Sequence, residues 1–166
     1  MENQQTMPYA LKWGGILGGV LVIFYWWAYA GTLFSSPGIN YLTWLLVAGG
    51  AFMGIKAYKD GNNQYLTFGQ GLTVGTLVSL FAGLIEGVFK YLYYEVIDPG
   101  VKQRVLDMVM VEMEKNPEMT EEMMDAALPM IEMTNTGWVA LATGLLGTLI
   151  LGVIFSLVIA GILRSD

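Results

Sequence analysis

The chain has 166 residues, of which 55% are apolar and 13% charged, with a mean hydropathy of +0.54 and a net charge of −6. A soluble domain carries about 45–50% apolar and about 25% charged residues, and here the excess falls in four long runs, which points to membrane spans rather than a larger core. With no cysteine and no histidine, disulfides, thiolate or imidazole metal sites, cysteine nucleophiles and histidine-based triads are all excluded.

Residues 1–8 are polar and read as a frayed end. The first apolar run covers 9–34, broken only by Lys12 near its start. About 20 apolar residues cross a hydrocarbon core of about 30 Å, so this run suffices. Ala28-Tyr29-Ala30 resembles a signal-cleavage site, but a single Lys12 is a poor charged leader and Trp26 and Trp27 crowd the approach. An uncleaved first helix is expected.

Ser35-Ser36-Pro37-Gly38 reads as a short turn, which forces the second span, 39–57, to run antiparallel to the first. A polar connection follows through Lys56, Lys59, Asp60 and Gly61 to Gln64.

The third span, 67–97, places a small residue at every fourth position: Gly71, Gly75, Ser79, Gly83 and Gly87. At 3.6 residues per turn that spacing makes a flat strip on which a neighbouring helix packs closely in lipid. The last span, 136–163, repeats the device with Ala140, Gly144, Thr148, Gly152, Ser156 and Ala160, so the third and fourth spans are expected to pack together. Pro99 ends the third span, since proline cannot continue the helical ladder.

Between these spans, residues 98–135 hold nine acids against three bases and so carry the whole net charge. They read as two amphipathic helices. Val101, Val105, Met108 and Val109 line one side of the first, opposite Gln103, Arg104, Asp107, Glu114 and Lys115. Asn116 or Thr120 is expected to cap the second, and Pro129 to kink or shorten it. The expected fold is thus a single all-α integral membrane domain over 1–166, a four-transmembrane-helix bundle with an extracytoplasmic amphipathic hairpin between helices 3 and 4. Lys12, Lys56, Lys59 and Arg164 fall on one side of such a bundle, which places both termini in the cytoplasm by the positive-inside rule. Aromatic clusters at Trp13, Tyr25-Trp26-Trp27, Tyr58, Tyr65, Tyr91-Leu92-Tyr93-Tyr94 and Trp138 fall mostly near run ends and read as interfacial belts.

Phe68-Gly69-Gln70 entering the glycine-rich helix, Tyr93-Tyr94-x-x-Ile97-Asp98-Pro99 leaving it, the acidic methionine-rich excursion and the glycine-rich last span together resemble the domain-of-unknown-function 4199 family. Members of that family are small four-helix membrane proteins, mostly of Bacteroidetes-type bacteria. The resemblance implies four spans and an inner-membrane location, and it implies no activity.

Chemistry has few places to reside. Glu86 and Lys90, four residues apart, share a helix face, and a carboxylate in mid-span is costly unless paired, protonated or wetted. One reading is an intramembrane charge relay through Glu86, Lys90, Glu95 and Asp98; the plainer one is a neutral pair with Lys90 snorkelling to the outer interface. The excursion also holds eight of the eleven methionines, and Met108, Met110, Met113, Met123 and Met124 are soft ligands that could take Cu(I), although methionine more often fills the apolar face of a helix. No other metal site and no cofactor is expected. The expected partners are the lipid bilayer and a second copy or another membrane protein, not nucleic acid, for which a basic patch is lacking. A non-enzymatic, self-associating protein or accessory subunit is the leading reading, and a small proton- or ion-coupled transporter using Glu86 and Lys90 is the alternative.

Overall fold

The structure, a computed structural model, describes residues 3–31 and 37–165. Among these residues it is all-helical, with six helices and no strand: α1 (Asn3–Ala30), α2 (Pro37–Gly61), α3 (Phe68–Leu92), α4 (Val101–Glu114), α5 (Glu121–Thr134) and α6 (Gly137–Leu163). Four of them, α1, α2, α6 and α3 with its extension to Ile97, are long and apolar enough to cross a membrane. Helix α3 is central and packs against α1, α2 and α6.

Helix starts follow local chemistry. Thr67 and Gln70 form a reciprocal capping box at the start of α3. Thr120 accepts from the Met123 N–H and Thr136 from the Val139 N–H, capping α5 and α6. Of the two candidates for the α5 cap, the threonine takes the role.

Several expectations need correction. Helix α1 begins at Asn3, so 3–8 belong to it rather than to a frayed end. Helix α2 continues past Lys56 to Gly61, which shortens the polar connection to a tight turn with Asn63 and Gln64 at positive φ (53° and 63°). Pro129 lies inside α5, which runs on to Thr134; the proline does not shorten it. Of the turn expected at 35–38, Ser35 and Ser36 lie outside the described residues, while Pro37 and Gly38 open α2. The aromatics divide: Trp26, Trp27 and Trp138 are exposed, but Tyr58, Tyr93 and Tyr94 are buried and belong to the core, not to a belt.

The end of the bundle where α2 and α6 finish is stitched shut across the chain. The Lys59 ammonium donates to the Leu163 carbonyl at 2.8 Å, where the C-terminal end of α6 favours a cation. Ser165 exchanges hydrogen bonds with Leu66 and donates to Gln64. At the other end α3 widens into a π turn over Tyr93–Ile97, closed by the Asp98 N–H on the Tyr93 carbonyl at 2.9 Å. Both Tyr93 and Tyr94 thereby reach Tyr29 of α1, with ring centroids 4.9 and 5.9 Å away.

A buried glutamate–lysine pair as the candidate functional site

The site is built on the contact between α3 and α6. Their small residues meet one to one in antiparallel register: Gly71 faces Ala160, Gly75 faces Ser156, Ser79 faces Gly152 and Gly83 faces Thr148, with Gly87 beside Gly144. The first two glycines and Gly152 receive the partner's side chain, so Ser79 and Ser156 each sit in the notch left by the other helix. Gly83 and Gly87 instead admit backbone. A methyl group at these positions would stand 2.9 Å from the Leu145 carbonyl oxygen and 2.7 Å from that of Leu141. This close approach is the reason a side chain as short as threonine can reach across.

Thr148 uses that proximity to donate a hydrogen bond to Glu86 Oε2. The other oxygen, Oε1, lies 2.5 Å from Lys90 Nζ. Glu86 is 1% exposed and Lys90 8% exposed. The lysine does not snorkel outward: its ammonium sits 3.8 Å from the Tyr25 ring centroid, over the face of the ring, in a cation–π contact with α1. One polar cluster therefore ties α3 to α6 through Thr148 and α3 to α1 through Tyr25. Burying two charges is expensive, and such a pair is tolerated only when the remaining hydrogen-bonding capacity is met, as it is for this carboxylate.

Glu95 and Asp98 are placed elsewhere, each with its own partners. Glu95 Oε2 pairs with Lys102 Nζ at 2.8 Å, and Oε1 accepts from the Gly137 N–H at 2.9 Å, so this residue anchors the start of α6. Asp98 pairs with Arg104 at 2.6 Å. The hydrogen bond from the Arg104 guanidinium holds the Asp98 carboxyl below the ordinary carboxylate range and, reciprocally, raises the Arg104 pKa. Of the four residues considered for a relay, only Glu86 and Lys90 are brought together.

The methionines considered for Cu(I) are divided between α4, which carries Met108, Met110 and Met113, and α5, which carries Met123 and Met124; Met123 is exposed. Among the described residues no group of three or more acidic side chains could hold a metal ion.

Beside the pair, a cavity of about 340 Å³ opens between the C-terminal end of α3, the N-terminal end of α6 and the underside of α4 and α5. Lys90 and Tyr94 lie on its floor, and Val105, Val109 and Ile131 hang from its roof.

Sequence reasoning misses Thr148 as a partner of Glu86, Tyr25 as the seat of Lys90, and the π turn. For Thr148 the signal is partial: it is one of two hydroxyl residues in the α6 strip, but only the register seen in the structure brings it opposite Gly83, one turn from Glu86. Neither curated proteins nor solved structures give a match to the chain. Among protein families, residues 12–165 match "Protein of unknown function (DUF4199)", and with nearly all of its length covered the chain belongs to that family.

Proposed function

We propose that this is a non-enzymatic multi-pass protein of the bacterial inner membrane that acts by association, with itself or as an accessory subunit of a membrane complex. Both termini face the cytoplasm in this reading, and 98–135 forms an acidic hairpin outside. The orientation is supported by Lys12, Lys56, Lys59 and Arg164, which all lie toward one end of the spans. It can be tested cleanly, because the chain has no cysteine of its own. A cysteine introduced at Glu118 should react with an impermeant maleimide in intact spheroplasts, and one at Lys59 should not.

The observation that carries the association reading is the double glycine face of α1. Gly14 and Gly18 are filled from α3 by Phe81 and Ile85, whereas Gly15 and Gly19 have nothing within 4 Å of the space a Cβ would take. Two small residues at four-residue spacing, turned toward lipid, are the kind of surface on which another span packs closely. In liposomes at falling protein-to-lipid ratio, energy transfer between labelled copies should persist, and it should disappear in a Gly15→Leu/Gly19→Leu variant that keeps its helicity. A chain that is monomeric at every ratio overturns self-association.

The transporter reading retains one observation in its favour, the position of Lys90 on the floor of the cavity. It requires Glu86→Gln to abolish pH-dependent flux with the fold intact. The association reading requires flux to be absent in the parent protein too.

A further inference from the structure

We propose that the cavity roofed by α4 and α5 binds an uncharged amphiphile, an apolar body with a hydroxyl-bearing head, drawn from the surrounding bilayer. This inference is independent of self-association.

The charge of the ligand follows from the floor. Lys90 is already matched by Glu86 at 2.5 Å, so the pair is neutral as a unit. An anion would compete with Glu86 for the ammonium and leave a carboxylate without its partner; a cation would meet the ammonium itself. Because Glu86 and Lys90 are themselves buried, either error costs more than a hydrogen bond returns.

The head group follows from two of the hydroxyls in the wall, those of Thr134 and Thr143. Thr134 Oγ1 already donates to the Met130 and Ile131 carbonyls, both at 3.0 Å, and Thr143 Oγ1 to the Ala140 carbonyl at 3.1 Å. Each hydroxyl has one proton, so what these two offer the cavity is lone pairs. A ligand that satisfies them must donate, which an alcohol does and an ester or ether does not.

The apolar body follows from the roof. Helix α5 has no buried residue and α4 only Val101, so the cavity-facing Val105, Val109 and Ile131 are left half-covered. An apolar body beneath them completes the packing that the two amphipathic helices lack. The volume, about 340 Å³, is near the lower end of ligand sites and suits a short chain or the head-proximal part of a longer one.

The experiment uses the full chain in phosphatidylcholine nanodiscs with radiolabelled 1-lauroylglycerol as probe and laurate as the charged comparator, at about pH 9, where a carboxyl is ionised. Lauroylglycerol should bind saturably above the level of empty nanodiscs, and laurate about tenfold more weakly or worse. Val109→Trp and Ile131→Trp, which fill the cavity from two different helices, should each lower lauroylglycerol binding by about tenfold or more while the thermal midpoint is kept; if one fails to fold, the other decides. Thr143→Val, similar in volume and without the lone pairs, should weaken it by up to about tenfold. Binding no greater than in empty nanodiscs, laurate binding as tightly, or unchanged binding in the folded tryptophan variants would each overturn the proposal.

Discussion

The contact of α3 with α6 and the 98–135 segment are held together by opposite means. In the first, every fourth residue is small, the backbones come close enough for a methyl at Gly87 to stand 2.7 Å from a carbonyl oxygen, and the polar groups Glu86 and Lys90 are sealed from solvent. In the second, the helices bury almost nothing and are fastened by partly exposed ion pairs, Glu95 with Lys102 and Asp98 with Arg104. The difference reflects the two solvents. Lipid offers apolar side chains no advantage in leaving it, so helices there gain by shape match and by satisfying polar groups across the contact. Water rewards burial, yet a pair of short helices has little to bury against, and charge and capping carry more of the load.

The comparison is most severely tested at Glu86. Glu86→Gln leaves the Lys90 ammonium buried beside a neutral amide, and removing one partner of a buried pair costs about 3–5 kcal/mol. The expected result is a large fall in resistance to unfolding, read by steric trapping in bicelles or as a drop in thermal midpoint in mild detergent. Replacing both partners together, Glu86→Leu with Lys90→Met, should recover much of that loss, because no charge is left stranded. If the single and double variants are equally damaged, the pair is needed for something other than mutual neutralisation. The 98–135 segment should respond to neither.

A smaller effect is expected from Gly87→Ala. The added methyl meets backbone, which cannot swing aside, so the two helices must part; overpacking of this kind costs about 1–3 kcal/mol. Gly147→Ala is the control, since its methyl meets open space and alanine is the better helix former by up to about 1 kcal/mol. The two substitutions are chemically identical, and opposite signs in a paired thermal-midpoint measurement would show that close approach, not helix propensity, decides.

The legibility of the molecule divides along the same line. The strips on α3 and α6 could be read because small residues at four-residue spacing are a local pattern, and a helix turns any such pattern into a face. Their facing register could not, since several glycine spacings in α6 fit equally well until Ser79 and Ser156 are seen to occupy opposite notches. The direction of Lys90 was hidden for a different reason. A lysine near the end of a span can reach water, and only the Tyr25 ring, 65 residues away in sequence, makes the inward position favourable. The π turn likewise carries no local pattern that could be read, and both of the adjacent residues Tyr93 and Tyr94 lie against Tyr29, 64 and 65 residues away in sequence. Pro129 shows that a local rule can lose: it is exposed near the end of α5, and the helix carries on around it.

The smallest effect lies in the segment that lacks a seam. Asp98 is held below the ordinary carboxylate range by Arg104, so the folded form binds a proton less readily than the unfolded one. The stabilisation from this pair is therefore present in full above the ordinary value, 3.8, and fades as the pH falls through the lowered one. Near neutrality nothing should change. On acidification, the Asp98 carboxyl carbon should titrate, by carbon-detected NMR, below its usual midpoint, and Arg104→Gln should return that midpoint toward the usual value. Because the pair is solvent-exposed, moderate salt should shift the midpoint the same way, by weakening the attraction. The stability lost in Glu86→Gln, where the pair is enclosed by Thr148 and Tyr25, should by contrast be indifferent to salt, and a salt dependence there would mean that water reaches the α3–α6 contact as freely as it reaches the 98–135 segment.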